Sequence, residues 1–430
     1  MKKDPSPRFL SDPCRPLDPS GGRHIRGVWK PMNPVARIRR GSLALATTAL
    51  ALLVAACGGG STSGGGGANK APITIAYVTD LTGGNSGNSI GGKAGFDTAL
   101  KEINDAGGAN GHKLVTTTYD SQSDVNVFQT QLRQALGTSP NLVAGQWLSS
   151  STAAGASVIA SSNVPFIAAS YTVTGVDTVP YWFSTSPLAS GVGAGIANGL
   201  KGILGGSLAG KKIAFEGLIS PAVDGNLAAI KTQIEASGGS MGTITRDPVQ
   251  FSSWSSQAAN MAATHPDAVV TNNTDPNTAT VVKSLGVAGY KGPIISTEGA
   301  NSDALLKAAN SNNFYVVRET VVPSSDAKLY KDGVAAGASP DNIAQSYFGK
   351  MYAAAYAISA AEAKCGDSCS TSKFVSALKG AGKINVPNNA LAGPLDFSKT
   401  NSGLTSAQVW QWDAASAKSV AKGQTFSIVV

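Results

Sequence analysis

Charge is scarce in this chain of 430 residues: Asp, Glu, Lys and Arg together make up 14%, and histidine occurs three times. No carboxylate pair, histidine cluster or cysteine–histidine pair marks a catalytic centre. That scarcity argues against general acid–base, nucleophilic and metal-dependent chemistry. Nucleic acid is excluded as well, although the net charge of +8 and the pI of about 9.2 first point to an anionic partner. Residues 1–56 hold 10 of the 34 basic and 3 of the 26 acidic residues, which leaves 24 basic and 23 acidic residues in the rest. A body so nearly neutral carries no electrostatic footprint for a polyanion. The uncharged, mostly apolar run at residues 43–56 is 14 long, short of the ~20 residues that a bilayer-spanning helix needs.

What the chain does have is 42% apolar residues, enough for two or three domains with sizeable cores. Arg37, Arg39 and Arg40 precede the apolar run, as the n-region of a signal peptide precedes its h-region. The run closes on "LVAAC", which resembles a bacterial lipoprotein lipobox and implies cleavage before Cys57 and acylation of that cysteine. "GGGSTSGGGGANK" follows as a flexible tether. Residues 1–56 are thus the precursor segment, with the start at Met1 or Met32, and 57–70 are the lipidated cysteine and linker. Cys14 leaves with the precursor. In an extracytoplasmic setting Cys365 and Cys369, in "KCGDSCS", read as a local disulfide. A metal site would need more than two ligands, and no histidine lies near. No cofactor and no metal are expected.

Strand and helix patterns alternate after the tether. Residues 72–80, 112–120, 141–147 and 164–170 read as strands. Residues 93–106, 124–136 and 151–162 read as helices, and 83–92 as a Gly/Asn loop. A second series begins at 211–218 and continues through helices at 225–239 and 277–289 and strands at 267–273 and 292–299. Such alternation predicts an α/β fold of two lobes, each a parallel sheet covered by helices.

Three motifs fail on context. "GNSIG" at 87–91 fits a nucleophile elbow but sits in the expected loop, and His112 and His265 occupy ordinary surface positions. "GGSLAGKK" at 205–212 has Lys212 where a P-loop needs Ser or Thr, and it enters a strand instead of leaving one. "GVGAGIANG" at 191–199 lacks the third dinucleotide-binding glycine and reads as close helix packing.

"GQWLSSSTAA" at 145–154 places four hydroxyls where a strand gives way to a helix, beside Trp147. One hydroxyl would serve as an N-cap. The surplus fits an anion site at a helix start equally well, and the local sequence favours neither.

Read together, "GGKAGFDTALKEINDAGGANGHKL", "GQWLSSSTAA", "NVPFIAAS", "ISTEGA" and "GPLDFSKTNSG…VWQW" resemble the leucine/isoleucine/valine-binding proteins, over residues 71–425. These are type I periplasmic solute-binding proteins that serve ABC importers. The resemblance implies two Rossmann-like lobes, 71–186 with 322–392 and 187–321 with 393–430, joined by hinge crossings near Ser186, near Val322 and just before Gly393. It implies that Ser149 binds a ligand carboxylate, that Trp147 backs the ligand side chain, and that Ser170 and Thr172 hold its amino and carboxylate groups. It also implies that Glu298 pairs with the ligand ammonium. Where the family commonly has aromatic walls, this chain has Val223 or Asp224, and Thr274-Asp275; a polar or larger amino acid, or an amide-like or carboxylate ligand, therefore fits at least as well as a branched aliphatic amino acid. The implied protein is a lipid-anchored, extracytoplasmic monomer that delivers a small amino-acid-like ligand to an ABC permease by hinge closure and without covalent chemistry. A sensory lipoprotein of the same fold is the alternative.

Overall fold

The computed structural model describes residues 70–84, 86–171, 176–248, 251–298, 307–309, 311, 313–413, 415–416 and 418–429. The expected signal segment and Cys57 lie outside the described residues, as does Thr172.

The first lobe is built on β1 (Lys70–Thr79), β2 (His112–Asp120), β3 (Leu142–Gly145), β4 (Phe166–Ala168) and β5 (Trp182–Ser184), in the order β2-β1-β3-β4-β5. Every neighbouring pair is parallel. Each residue of β3, β4 and β5 is buried, as a parallel sheet covered on both faces requires. The second lobe repeats that order with β6 (Lys212–Leu218), β7 (Ser240–Asp247), β8 (Ala268–Asn272), β9 (Ile294–Ser296) and β10 (Phe314–Arg318), arranged β7-β6-β8-β9-β10. A two-stranded ribbon, β11 (Lys383–Ile384) with β12 (Leu395–Asp396), follows. Two antiparallel strands, β13 (Ser406–Asp413) and β14 (Lys418–Ser427), then extend the second sheet beyond β10.

The helices of the first half are α1 (Ser86–Asp105), α2 (Val125–Gly137), α3 (Ser149–Ala154) and α4 (Ala156–Ser162). The second lobe carries α5 (Ala189–Ile203), α6 (Pro221–Ala236), α7 (Ser255–Ala263) and α8 (Asp275–Val287). The chain then returns to the first lobe with α9 (Lys328–Ala335), α10 (Pro340–Ala344), α11 (Ser346–Cys365) and α12 (Thr371–Lys379). It passes between the lobes three times: after β5, after β10, and between β12 and β13. Backbone bonds tie these passages together. Ser184 N donates to Asn401 O (2.8 Å), Val321 N to Ala390 O (3.0 Å) and Ala392 N to Glu319 O (2.7 Å).

The expected loop at 83–92 is a correction: from Ser86 onward these residues form about the first two turns of α1. Their glycines serve contact with α11. A Cβ on Gly92 would lie 3.2 Å from Met351 Cγ and one on Gly91 would lie 2.1 Å from Gln345 Oε1 at the N-cap of α11; one turn further on, a Cβ on Gly95 would lie 2.1 Å from Phe348 O. Close packing of two helices has overridden poor helix propensity. Ser89 is buried there and its hydroxyl accepts from Asp80 N (3.3 Å), so it is not on a strand–turn–helix elbow. Phe96, Phe348 and Tyr352 are buried around this seam. Each such side chain contributes about 1.5–3 kcal/mol of burial. Residues 191–199 form part of α5, which packs on α6 where a Cβ on Gly193 would meet Ala229 O at 2.6 Å. Cys365 and Cys369 are joined by a disulfide. Among the described residues, no helix is long and apolar enough to cross a membrane.

Candidate functional site

Both sheets change winding direction beside their first strand, between β1 and β3 and between β6 and β8, and ligands of open α/β sheets bind outside the strand ends at such points. β3 stops at Gly145, whose φ of +103 suits glycine, and a Cβ there would sit 2.6 Å from Val78 O. Gln146 continues the left-handed turn, and its side-chain oxygen accepts from Leu148 N (2.8 Å). That turn delivers Trp147 to the cleft, where its ring lies 5.2 Å from the ring of Tyr347 on α11.

The four hydroxyls do not cap α3. Leu148 is the N-cap residue and makes no side-chain cap bond. Ser149 Oγ donates to Tyr171 O at 3.4 Å, and Thr152 Oγ1 donates to Ser170 Oγ at 3.0 Å. Ser150 is exposed, and Ser151 is buried with an unpartnered hydroxyl. The first N–H groups of α3 have no intrahelical acceptors.

The second lobe presents two more helix starts. Ser220 caps α6, its hydroxyl accepting from Val223 N (3.3 Å), and Pro221 opens the helix. Thr274 begins α8 without a side-chain cap bond. The preceding amides are fixed by their neighbours: Asn272 donates to Thr297 Oγ1 (2.9 Å) and accepts from Asn226 (3.0 Å). Asn273 donates to the buried Glu216, and its oxygen accepts from Thr274 N (2.8 Å). Burial pushes the Glu216 carboxyl up to about 7, against the hydrogen bonds from Thr271 and Asn273 that favour its ionised form.

These elements enclose a cavity of about 150 Å³ between the lobes, small beside the ~300–1,000 Å³ of typical ligand pockets. Trp147, Tyr171 and Tyr347 form aromatic walls, with Leu218, Ala222 and Val223 opposite. Ser149, Ser150, Ser220, Asn272, Asn273 and Thr274 supply the polar edge, and among the described residues none that lines it is charged. The starts of α3, α6 and α8 all border this space. The dipoles of α6 and α8 favour an anion there at roughly 0.3–1 kcal/mol per helix, offset in part by Asp224 and Asp275 in their first turns. The lobes meet across the cleft, since Ala222 of α6 packs on the apolar cluster of the first lobe. Two larger cavities, about 370 Å³ near Pro187 and Lys399 and about 520 Å³ beside Glu102, draw nothing from the carboxyl ends of both sheets.

Beneath the aromatic walls lies a buried ionic cluster at the hinge. Lys350, on α11, is fully buried and sits 3.0 Å from Glu298 and 3.5 Å from Glu319. It also donates to Ser186 Oγ (3.3 Å) and lies 5.7 Å and 5.2 Å from the ring centres of Tyr171 and Tyr347. Glu298 accepts two further bonds from Thr320, through its N–H (3.2 Å) and its hydroxyl (2.5 Å). Burial, the largest single influence, opposes the charge on Lys350, but Glu298, Tyr171 and Tyr347 together outweigh it and hold the ammonium above its ordinary pKa.

Of the residues singled out by sequence, Trp147, Ser149, Val223 and Thr274 line one cavity. Ser170 lies buried behind α3, and Asp275 opens α8 without lining the cavity. Glu298 is in the hinge cluster beneath the cavity floor, with Lys350 as its cation. The absent aromatic positions are replaced from elsewhere: Tyr171 and Tyr347 supply walls that the sequence reading had counted as lost. Sequence reasoning also missed Lys350, Ser220 and the asparagines. Only Tyr171 had a local signal, lying between the two chosen residues Ser170 and Thr172.

A periplasmic binding protein family model matches residues 72–418. Among curated proteins, none matches this sequence. Among solved structures, a solute-binding protein of an ABC transporter from R. palustris, in complex with 4-hydroxybenzoate, is 19% identical with a TM-score of 0.70, covering 83% of this chain and 97% of its own. The branched-chain amino acid binding protein LivJ from Streptococcus pneumoniae, in complex with isoleucine, is 17% identical with a TM-score of 0.69, covering 83% and 99%. A fatty acid ABC transporter substrate-binding protein from Thermomonospora curvata is 18% identical with a TM-score of 0.70, covering 83% and 92%. At these identities the likenesses establish a shared fold. Two lobes of matching strand order, three passages between them and a family match over most of the chain agree: this protein belongs to the periplasmic binding protein family.

Proposed function

We propose that this protein captures a small carboxylate-bearing solute between its lobes and delivers it to an ABC importer. The observation that carries the reading is the convergence of three helix starts, from both lobes, on one small aromatic-walled cavity. Helix starts attract a carboxylate, and the rings of Trp147, Tyr171 and Tyr347 suit an apolar body. The carboxylate is shared by the amino-acid ligands that the sequence led us to expect and by simple organic acids. It is also common to the isoleucine and 4-hydroxybenzoate bound by two structural relatives. Binding across the cleft favours the closed arrangement by the ligand's differential affinity for it, with no covalent step.

In this reading the lobes are residues 71–186 with 322–392 and 187–321 with 393–430. Cys57 carries the lipid anchor that holds the body outside the membrane on the tether of residues 57–70, and the protein acts as a monomer. The test is titration calorimetry with matched acids and primary amides, 4-methylpentanoate against 4-methylpentanamide and 3-phenylpropionate against 3-phenylpropanamide. The acids are expected to bind at least tenfold tighter, about 1.4 kcal/mol. Equal binding of acid and amide would remove the role of the helix starts.

A further inference from the structure

We infer that Glu216 couples solute binding to a proton: a carboxylate in the cavity is bound together with a proton on the buried Glu216–Asp247 pair, and more tightly when that proton is in place. The inference rests on the reading of the cavity as a carboxylate site. Strand register brings the two acids together. Glu216 of β6 is paired with Thr245 of β7 and with Thr271 of β8, and side chains two residues apart on a strand share a face. Asp247 and Asn273 therefore flank Glu216 on one face of the sheet, at the carboxyl ends of the strands. Both acids are buried, and they hydrogen-bond to each other. A bond between two carboxyl groups requires one proton between them. Trp254, the N-cap residue of α7, fixes Asp247 by donating to its Oδ2 (2.8 Å).

The pair reaches the cavity through Asn273. Glu216 Oε1 accepts from the Asn273 amide, and Oε2 accepts from Thr271 (2.7 Å). The Asn273 oxygen accepts in turn from Thr274 N (2.8 Å) and from Asn277 (3.0 Å). The amide is thus held between the acid and the first turn of α8, and it lines the cavity. Two other charges border this arrangement. Arg246, next to Asp247, spends its guanidinium on Asp224 and on the Gly217 and Leu218 carbonyls, and keeps its charge at any working pH. Asp275 is the acid in the first turn of α8. Burial, assisted by Asp247 and opposed by the bonds from Thr271 and Asn273, pushes the Glu216 carboxyl up to about 7. Losing its proton places a negative charge one side chain behind the cavity wall. Two like charges ~10 Å apart inside a protein alter affinity by roughly tenfold. A bound carboxylate raises the proton's affinity by the same factor, so solute and proton bind cooperatively and affinity falls as pH rises through 7. Glu216 is a positioning residue that acts through Asn273 and through its own charge.

Calorimetry with 4-methylpentanoate and 3-phenylpropionate, acids that are themselves ionised from pH 6 to 8, tests this. At pH 7 the titrations are run in PIPES and in imidazole, whose different ionisation enthalpies reveal protons exchanged with the buffer. About 0.4 of a proton should be taken up per solute bound, and affinity should fall about fivefold from pH 6 to pH 8. Glu216→Gln keeps the shape and has no proton to exchange, so it should bind without uptake and with a level affinity across that range. Asp247→Asn removes the acidic neighbour of Glu216 and should move the fall in affinity to lower pH. If Glu216→Gln fails to fold, the native protein and Asp247→Asn still decide. Binding without proton uptake would overturn the inference and leave the solute-binding reading standing. So would uptake undiminished in Glu216→Gln, the result expected of a merely structural acid. Binding of neither solute would overturn the reading of the cavity and the inference with it.

Discussion

Replacing Glu216 by glutamine should remove a large part of the pH dependence of stability between about pH 5 and 8. Glu216 is wholly buried on β6, accepts from Thr271 Oγ1 (2.7 Å) and from the Asn273 amide, and has its carboxyl pushed from an ordinary 4.5 to about 7 by burial. In the unfolded chain the proton leaves near 4.5, whereas the native protein holds it to about 7. Between those values the native state binds more protons, so the contribution of this group is greatest below about pH 4.5 and is lost as pH rises through 7. The gap corresponds to about 3 kcal/mol at ~1.36 kcal/mol per pH unit. Glutamine keeps the shape and carries no proton to lose. Urea denaturation followed by tryptophan fluorescence, from pH 5 to 8, reads the effect, with Trp254 a local reporter 2.8 Å from Asp247. Glu362, which burial also pushes up to about 7, is unchanged in both proteins and cancels in the difference. A stability difference between native protein and variant that stays constant across this range would refute the reasoning.

Ser149→Ala should weaken binding of a carboxylate solute about fivefold, near 1 kcal/mol, while thermal stability stays within ~0.5 kcal/mol, because the Tyr171 carbonyl lies 3.4 Å away. Calorimetry and a melting curve check both halves. Gly95→Ala should cost about 3 kcal/mol in denaturant titration, since its Cβ would meet Phe348 O at 2.1 Å on a neighbouring helix. Glu298→Ala should destabilise the fold by roughly 3 kcal/mol as it strips Lys350 of its nearest partner, with Glu319 at 3.5 Å limiting the loss. The family resemblance had instead paired Glu298 with the ligand ammonium; a melting temperature unchanged by Glu298→Ala would return it to the ligand.

The alternation of apolar strands with helices was legible because each parallel strand is a short buried run, as in "NLVAGQW" and "DAVVTNN". The start of α1 was not legible, because Gly91 and Gly92 look like part of a loop until Gln345 and Met351 are brought against them from some 250 residues away. Trp147 and Ser149 stood out at a strand–helix junction, where N-terminal chemistry leaves local marks, whereas Val223 and Thr274 were named only through the family resemblance. Tyr347 and Lys350 could not. They lie inside α11, where burial nearly all round leaves no amphipathic face, and their partners Glu298 and Glu319 come from the other side of the hinge. A buried ion pair across such a separation has no spacing in the sequence to betray it.

The most direct measurement is the crystal structure of the protein with the tightest-binding acid of the panel. The account predicts a carboxylate within hydrogen-bonding reach of the starts of α3, α6 and α8, the apolar body against Trp147 and Tyr347, and the Lys350–Glu298 pair intact below it. A carboxylate paired with Lys350 in place of Glu298, or a ligand seated outside the space between the lobes, would contradict it.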